Sequence, residues 1–354
     1  MKVGVIGCGY WGPNLVRNLF ATGRCSTIEC FDASARAMAK ILGQFPGLAP
    51  ARSAEEMIAE CDAIVIATPV KSHYALARQV LLAGKAVFVE KPLTASVVES
   101  LQLAELASAR RLPLMTGHTF LYSPPVRKIR QYVADGTLGE VYYLTSSREN
   151  LGIHRADVNV LWDLAPHDLS MLLYWLQEAP RRVAAFGRAC VGSHIDFASM
   201  HMEFPSGTAA TVGVSWLAPH KLRRMVVSGK KRMVIYDDAA SDEKIKLCDS
   251  GASMIEAPAS FGEYQLTYRN GDVLSPRLDS KEPLLAQTHA FLDWVEHGTE
   301  PDGNVWIALQ VVATLEAACR SLQENGRLVE VASSKFAARS VRTAILPEAV
   351  AAGD

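Results

Sequence analysis

Three side chains in the chain have the chemistry of a proton-transfer site. Asp163 and His167 are four residues apart, so on a helix they lie one turn apart on the same face, where the carboxylate can support the histidine as a base. Lys91 lies within Glu90-Lys91-Pro92, and its ammonium group can stabilise negative charge on a substrate oxygen. An imidazole, with an ordinary pKa of about 6.5, exchanges protons near neutral pH. Simpler roles remain open, with Asp163 as a helix cap, His167 as a structural histidine and Lys91 as a solvated loop charge.

A glycine-rich motif near the start of the chain predicts a dinucleotide site. It directly follows an apolar run, and its G-x-G-x-x-G spacing allows a sharp turn and a close approach to a pyrophosphate. Pro13 and an apolar stripe predict a following helix whose first N–H groups face the phosphates. A second apolar run ends at Asp32, where an acid accepts hydrogen bonds from a ribose. We expect cofactor contacts from Gly7, Gly9, Tyr10, Trp11, Gly12 and Asp32.

Asp32 also predicts which dinucleotide binds. A carboxylate at the ribose hydroxyls repels a 2′-phosphate, which favours NAD over NADP. Ser34 and Arg36 keep NADP open as an alternative, because their side chains can receive a phosphate.

Two further segments follow buried apolar runs and so belong to the ligand-binding edge of a predicted parallel sheet. The residues expected to line the cofactor there are Thr68, Pro69, His73, Glu90 and Lys91. A lone histidine is more often structural than catalytic, and this applies to His73 and His118. The edge position of His73 nevertheless allows contact with the cofactor.

The order of the predicted elements indicates an α/β fold. Over roughly the first 118 residues, apolar runs alternate with helical patterns, as in a doubly wound parallel sheet. Consecutive strand patterns then indicate an α+β domain on a mostly antiparallel open sheet, and a helix is predicted over 164–176, with Asp163 as its cap and Pro166 in its first turn. We predict a Rossmann domain over 1–119, a substrate-binding and oligomerisation domain over 120–330, and a tail over 331–354.

The composition argues against several classes of function. The chain of 354 residues is 49% hydrophobic and has a formal net charge of −1, so no overall attraction to nucleic acid or to an anionic membrane is expected. No apolar run reaches the ~18 to 20 residues of a membrane span, and the first predicted strand leaves no room for a signal peptide. Seven scattered cysteines without a C-x-x-C pair indicate free thiols. We expect a cytoplasmic protein without a metal.

Basic residues are densest in two stretches, 220–224 and 230–232. Two solvated turns that flank a strand are the simpler explanation. The alternative is a contribution to the diphosphate site of a nucleotide-sugar, since the planar guanidinium group suits phosphate oxygens.

In their order along the chain, these motifs resemble the Gfo/Idh/MocA oxidoreductase family. The resemblance runs from residue 1 to about 330 and rests on Gly-Cys-Gly-Tyr-Trp-Gly, Ala-Thr-Pro with His73, Glu-Lys-Pro-Leu, Gly-His-Thr-Phe and the D-x-x-x-H spacing. It implies a Rossmann domain followed by an α/β domain whose open sheet supports oligomerisation. It also implies that Lys91 is the catalytic lysine, His167 the acid/base and Asp163 the aspartate beside it.

One segment departs from the commonest pattern of this family. Many members have a glycine-rich stretch just before D-x-x-x-H. In this chain the corresponding stretch, 157–162, reads Asp-Val-Asn-Val-Leu-Trp, and it is preceded by Arg-Glu-Asn-Leu-Gly at 148–152. This arrangement resembles nucleotide-sugar-processing members more than inositol dehydrogenases. We accordingly expect substrate contacts from Lys91, Arg148, Asn150, Arg155, Asp163 and His167.

The resemblance implies an NAD-dependent oxidoreductase that acts on a ring hydroxyl or keto carbon of a sugar, with a nucleotide-linked hexose favoured. Two alternatives remain open, a glycosidase of the same fold that recycles its NAD and a non-enzymatic NAD-binding regulator. We also expect a homo-oligomer, dimer or tetramer, formed through the outer face of the second sheet, where Val212, Val214 and Trp216 alternate. The competing explanation is that this face covers a helix of the same chain.

Overall fold

A parallel sheet is formed by the first third of the chain. The computed structural model describes residues 1–152, 154–155, 157–254 and 266–332, so most of the predicted tail lies outside the described residues. The strands are β1 Lys2–Ile6, β2 Thr27–Phe31, β3 Ala49–Pro50, β4 Ala63–Ile66, β5 Ala86–Val89 and β6 Leu114–Thr116. They lie in the order β3-β2-β1-β4-β5-β6, and every neighbouring pair is parallel. The predicted doubly wound sheet is confirmed.

Local sequence explains why these elements form. The strands β4 and β5 are buried at every position, which requires apolar residues without polar alternation. The intervening helices are α1 Gly12–Thr22, α2 Ala35–Gln44, α3 Ala54–Glu60, α4 His73–Leu82 and α5 Val97–Arg110. Ser34, Ser53 and Ser96 cap three of them by accepting hydrogen bonds from backbone N–H groups. The strand order reverses between β1 and β4, which opens a ligand crevice at their carboxyl ends.

A second, larger sheet follows the helix α6 Pro124–Ala134. Its elements in the described residues are β7 Val141–Glu149, α7 Val160–Leu176, β8 Arg182–Arg188, β9 Phe197–Glu203, β10 Ala209–Ser215, β11 Leu222–Gly229, β12 Met233–Asp237, β13 Ile245–Met254, β14 Leu266–Leu274, α8 Pro283–His297, α9 Val305–Gln323 and β15 Val329–Glu330. The strand order is β14-β13-β12-β11-β7-β10-β9-β8-β15. Only β7 and β10 pair in parallel within this part, so the predicted mostly antiparallel sheet is confirmed.

One face of the second sheet is covered by α7. Val212, Val214 and Trp216 are at most 1% exposed, and α7 packs against β10. The expectation that these three side chains form an outer surface is therefore wrong, because they alternate toward a helix of the same chain. The opposite face carries Tyr143 and Phe186, which are exposed.

Two C-terminal helices connect the second sheet to the first. Helix α8 packs beside α1, and its Phe291 ring meets Phe88 of β5 with centroids 5.7 Å apart. Helix α9 contacts α5, α7 and β8. By length and mean hydropathy α9 could cross a membrane, but 72% of its apolar window is buried inside the protein. Packing between the two halves of the molecule explains its apolar character.

Candidate active site

The glycine loop between β1 and α1 has the geometry of a phosphate-binding turn. Gly7 has φ +102°, and a Cβ there would lie 2.6 Å from the carbonyl carbon of Ala67. A Cβ at Gly12 would lie 2.3 Å from the carbonyl oxygen of Gly7, whereas one at Gly9 would meet no atom within 4 Å. The first and third glycines therefore serve the turn and the packing of α1, and the second faces open space.

The side chains around this loop leave the start of α1 accessible. Trp11 occupies the cap position of α1 without a side-chain hydrogen bond to the helix N–H groups, and Tyr10 is 92% exposed. Asp32 lies at the end of β2, where its carboxylate accepts hydrogen bonds from the N–H of Cys8 at 2.7 Å and of Ser34 at 2.8 Å. Asp32 thus fixes the glycine loop, and its partly exposed oxygens retain lone pairs for a ribose hydroxyl.

His73 joins the loops that follow β4 and β5. One ring nitrogen lies 2.8 Å from the carbonyl oxygen of Thr68, and the other lies 2.9 Å from that of Pro92. The side chain is 1% exposed, and burial lowers its pKa. His73 therefore holds the two loops together and presents no ring nitrogen to the crevice. Thr68 accepts a hydrogen bond from Ser72 Oγ at 2.7 Å, and Pro69 is exposed at the same edge.

Glu90 forms a buried link between the glycine loop and β5. Its Oε1 accepts a 2.7 Å hydrogen bond from Trp11 Nε1, and its Oε2 accepts one from the N–H of Lys91 at 3.2 Å. A Cβ at Gly117 would lie 2.8 Å from the same carboxyl group, so only glycine fits there. Burial raises the pKa of Glu90 to about 7. The carboxyl group thereby sets the position of the Trp11 ring.

Lys91 reaches from β5 to the first turn of α7. Its Nζ donates a 2.9 Å hydrogen bond to the carbonyl oxygen of Asp163. Burial lowers the pKa of the ammonium group, although the nearby carboxylates of Asp163 and Glu90 oppose that shift. The lysine therefore brings the parallel sheet and α7 to one site.

Asp163 neither caps α7 nor contacts the imidazole of His167, the two roles expected from the sequence. Helix α7 begins at Val160, and Asn159 caps it by accepting a hydrogen bond from the N–H of Trp162. Pro166 consequently lies inside the helix rather than in its first turn. The carboxylate of Asp163 accepts a 3.0 Å hydrogen bond from Trp216 Nε1 and lies 3.4 Å from Arg155, so the structure shows it engaged with these side chains and not with His167.

His167 lies one turn further along α7 and faces an aromatic wall. Its ring meets that of Phe120 edge-on, with centroids 5.2 Å apart, and its Nδ1 has no hydrogen-bond partner among the described residues. Burial lowers the pKa of the imidazole well below its usual range, and the positive charges of Lys91 and Arg148 lower it further. At neutral pH the ring is therefore uncharged and able to accept a proton.

Three residues predicted to bind substrate have different surroundings. Arg148 is 4% exposed and forms a bidentate ion pair with Asp168 at 2.7 and 3.0 Å. This buried ion pair is here called the floor of the site. Arg155 is exposed and pairs with Asp157 at 2.7 Å. Asn150 lies between them, where its N–H bonds to the carbonyl oxygen of Ser215 at 3.1 Å.

Several site residues escaped the sequence analysis. The sequence places Trp216 on an outer surface, and nothing in it indicates that Asp168, next to His167, pairs with Arg148. Phe120 lies between the guanidinium of Arg148, 4.8 Å from its ring, and the imidazole of His167. His118, expected to be structural, has two buried ring nitrogens without partners among the described residues. The Gly-His-Thr-Phe segment was the available signal for both of these residues.

The two basic stretches lie at opposite ends of β11. Arg223 pairs in register with Arg148, whereas Gly229 pairs with Val141 at the other end of β7. At ~3.3 Å per residue, these ends are roughly 23 Å apart. The turn at 230–232 is therefore remote from Lys91 and His167, and only 220–224 lies at the site.

Family models match most of the chain. Residues 1–118 match the model of an oxidoreductase family with an NAD-binding Rossmann fold, named GFO/IDH/MocA. Residues 126–235 match the GFO/IDH/MocA C-terminal domain.

Individual proteins with assigned activities are also similar. The chain is 30% identical over 243 residues to the UDP-N-acetylglucosamine 3-dehydrogenase of Acidithiobacillus ferrooxidans, covering 67% of this chain and 74% of the relative. It is 24% identical over 342 residues to the inositol 2-dehydrogenase of Rhizobium meliloti, covering 93% and 98%. Among solved structures, GenD2 from gentamicin A biosynthesis, in complex with NAD, superposes with a TM-score of 0.78 at 26% identity, covering 94% and 97%.

Proposed function

Since this chain belongs to the GFO/IDH/MocA oxidoreductase family, we propose that it is an NAD-dependent dehydrogenase that transfers a hydride between nicotinamide and a ring hydroxyl or keto carbon of a nucleotide-linked sugar. The observation that carries the proposal is the hydrogen bond from Lys91 Nζ to the Asp163 carbonyl. It joins the ligand edge of the parallel sheet to the helix turn that precedes His167. A cationic group and a neutral base therefore flank the crevice in which a dinucleotide binds.

The residues along the crevice fit a nicotinamide dinucleotide. The space beside Gly9 and the uncapped start of α1 suit a pyrophosphate, and Asp32 suits the adenosine ribose. Its carboxylate favours NAD over NADP by repelling a 2′-phosphate. When bound, the nicotinamide supplies the hydride chemistry, while the protein supplies placement and proton transfer.

The side chains of the site divide the proton transfer between them. In the direction of oxidation, the neutral imidazole of His167 accepts the proton of the substrate hydroxyl. The ammonium group of Lys91 donates a hydrogen bond to the same oxygen and stabilises the developing alkoxide. Asp163 positions Lys91 through its carbonyl oxygen and Trp216 through its carboxylate. Arg148 and Asp168 keep the floor rigid beneath His167.

The rim of the site favours a substrate with an anionic extension. Arg155 is exposed beside Asp163, and Arg223 lies in register with Arg148 at the end of β11. His220 and Lys221, just before Arg223, are exposed. The guanidinium and ammonium groups among these basic side chains suit the diphosphate of a nucleotide-sugar. The UDP-sugar named for the relative from Acidithiobacillus ferrooxidans has the same chemistry.

The proposal extends to a homo-oligomer that uses the uncovered face of the second sheet. Tyr143, Phe186 and Phe197 lie on that face and are 47% or more exposed. Exposed aromatic side chains of this kind suit a symmetric contact between two copies.

A substrate screen tests the proposed function. Purified protein is mixed with NAD and with UDP-N-acetylglucosamine, other nucleotide-sugars, free hexoses or inositol, and the absorbance of reduced nicotinamide is followed. We expect reduction of NAD with a nucleotide-sugar and little with the corresponding free sugar. Release of free sugar without net NADH would instead indicate an NAD-recycling glycosidase. Binding of NAD without turnover of any compound would indicate a regulator.

A further inference from the structure

His118 is an unpaired imidazole in the wall of the proposed site. It is 1% exposed, and neither ring nitrogen has a hydrogen-bond partner among the described residues. His73, equally buried in the neighbouring loops, has a carbonyl oxygen within 2.9 Å of each ring nitrogen and can donate to either one. Buried polar atoms are nearly always paired, since an unpaired one retains its full cost of desolvation. The contrast between the two histidines indicates that His118 pairs with a group that is not part of the chain.

The surroundings of His118 identify where that group lies. His118 follows β6, which neighbours β5 in the sheet, and Gly117 before it packs against the Glu90 carboxyl group. Phe120, two residues further on, contacts the ring of His167. The strands from the glycine loop outward are β1, β4, β5 and β6, so His118 lies about one strand spacing, ~4.8 Å, beyond the strand that carries Lys91. It therefore lies on the far side of Lys91 from the phosphate-binding turn.

The charge state of His118 restricts the chemistry it can perform. Burial lowers its pKa to about 3, and the charge of Lys91 contributes to that shift. At neutral pH the ring is therefore neutral, with one N–H donor and one acceptor nitrogen. Either ring nitrogen can therefore pair with a hydroxyl group, which can both donate and accept a hydrogen bond. A sugar presents hydroxyls on the carbons next to the one oxidised.

We propose that His118 binds a hydroxyl group adjacent to the reacting carbon of the sugar, and thereby selects and orients the substrate. Lys91 keeps its bond to the Asp163 carbonyl and donates a second N–H to the reacting oxygen, and His118 pairs with the neighbouring hydroxyl. This inference rests on the proposed function, because it requires a sugar in the crevice. It adds a specificity-determining residue to the proton-transfer pair Lys91 and His167.

Three variants test the role. His118→Leu removes both ring nitrogens at similar volume, and His118→Asn retains one donor and one acceptor. Thr119→Val is the matched control, since Thr119 lies in the same turn but its hydroxyl bonds within the chain to Gln287 at 2.8 Å. Each protein is measured for melting temperature, NADH affinity, and kcat/KM with UDP-N-acetylglucosamine and its 4-deoxy analogue. The 4-hydroxyl is the free neighbour of carbon 3, at which the relative from Acidithiobacillus ferrooxidans acts by name.

The parent should have a kcat/KM at least ~10-fold higher for the complete sugar than for the 4-deoxy analogue, because the missing hydroxyl leaves a buried hydrogen-bonding group of the protein unpaired. His118→Leu should lose that preference through a higher KM for the complete sugar, while His118→Asn should recover part of it. NADH affinity should stay within about 2-fold, and the melting temperature of His118→Leu should not fall, because no internal hydrogen bond is removed. The control Thr119→Val should keep the preference.

Five results would overturn the inference. A parent without preference for the 4-hydroxyl, or a His118→Leu variant that keeps the preference, would show that the ring does not bind this group. A melting temperature that is lowered in His118→Leu and restored in His118→Asn would show that the histidine stabilises the fold instead of binding the substrate. Loss of NADH affinity in His118→Leu would assign it to the nicotinamide. A parent that oxidises none of the sugars would contradict the proposed function, and this inference with it.

Discussion

Burial shifts the pKa values of four side chains in the site, and all four shifts reduce charge. The pKa of Glu90 rises to about 7, that of His118 falls to about 3, and those of Lys91 and His167 also fall. Desolvation is the largest cause in each case, because charge is unfavourable away from water. The ordinary histidine pKa used in the sequence analysis therefore does not apply to His167. The imidazole remains a free base over a wider range of pH than its sequence suggests.

Replacing Lys91 should separate cofactor binding from turnover. Lys91→Met should leave the NADH dissociation constant within about 2-fold and lower kcat by at least ~10²-fold, because charge stabilisation and proton transfer typically contribute roughly 10² to 10⁴. The matched control is Lys71→Met, since Lys71 is an exposed lysine at the same sheet edge. Fluorescence titration with NADH and steady-state assays make the comparison. Equal turnover in the two variants would remove Lys91 from the mechanism.

The pH dependence of kcat/KM reports the ionisation of the free enzyme's base. Because the pKa of His167 lies well below 6.5, sugar oxidation should not lose activity to protonation of this residue as the pH falls from 7.5 to 6.5. Activity should decline only at lower pH, where the imidazole becomes protonated. His167→Asn should lower turnover by roughly 10²- to 10⁴-fold and abolish that acid limb. The exposed His297→Asn serves as control.

A contrary profile would revise the role of His167. An acid limb centred at pH 6.5 or above that disappears in His167→Asn would mean that the imidazole is more hydrated than its burial implies. Near-normal turnover in His167→Asn would place the base elsewhere. Tyr122 is a poor substitute, because its hydroxyl is buried against the N–H of Gly303 and burial raises its pKa.

At the scale of elements, the loops at one edge of the parallel sheet are joined by side chains that also serve the site. Asp32 ties the glycine loop to the start of α2, His73 ties the loops after β4 and β5, and Glu90 ties β5 to Trp11. The first two ties join loops of neighbouring strands, and the third crosses from the end of β5 past β4 to the loop after β1. The edge is therefore held rigid by the residues that line it, which keeps cofactor and lysine in register.

The tie at Asp32 predicts cofactor selectivity. The parent should bind NADH more tightly than NADPH, and Asp32→Ala should narrow that difference, because removal of the carboxylate ends the repulsion of a 2′-phosphate. The Asp32→Ala substitution should also weaken the binding of NADH, since two loop N–H groups lose their acceptor. Asp62→Ala removes a comparable acceptor for the N–H of Lys2 at the opposite edge and should change neither affinity. Equal or tighter binding of NADPH by the parent would refute the assignment.

The elements were predictable where local signals were strong. The alternation over the first 118 residues and the apolar runs that form β4 and β5 identified the parallel sheet from sequence alone. The start of α7 was misplaced because Pro166 suits a first turn, whereas Asn159 provides the cap and the helix tolerates an internal proline. The strands β13 and β14 were missed, because β14 is exposed along most of its length and lacks a hydrophobic pattern.

The site was predictable in part. Motif spacing identified Lys91, His167 and the glycine loop, because these residues follow strand ends or share a helix face. The partners of Asp163 and Arg148 were not predictable, since Trp216 and Asp168 contact them only through tertiary packing. For His118, no local pattern distinguishes a paired imidazole from an unpaired one.

At the scale of the whole molecule, α8 and α9 hold the two sheets against each other. Salt bridges join Arg24 to Asp293 and Glu296, which ties α8 to the end of α1. In the part of the chain that the structure describes, the face of the second sheet opposite α7 is exposed, and we propose that it contacts a second copy.

Light scattering tests the assembly. The parent should form a dimer or tetramer at micromolar concentration, and Tyr143→Glu should shift it toward monomer by placing a charge in the proposed contact. Val98→Glu, at a valine 64% exposed on α5, is the matched control and should leave the mass unchanged. A monomeric parent would contradict the assembly, and an unaffected Tyr143→Glu would place the interface elsewhere.

Hydride transfer between sugar and nicotinamide is the central claim, and isotope transfer tests it most directly. UDP-N-acetylglucosamine deuterated at ring carbon 3 is mixed with NAD and excess enzyme for a single turnover, and reduced nicotinamide is analysed by mass spectrometry. We predict that deuterium moves to the nicotinamide and that the keto sugar retains none at that carbon, with transfer slowed at least ~10²-fold in Lys91→Met. Deuterium that remains on the sugar, or appears in water while NAD stays oxidised, would contradict the account.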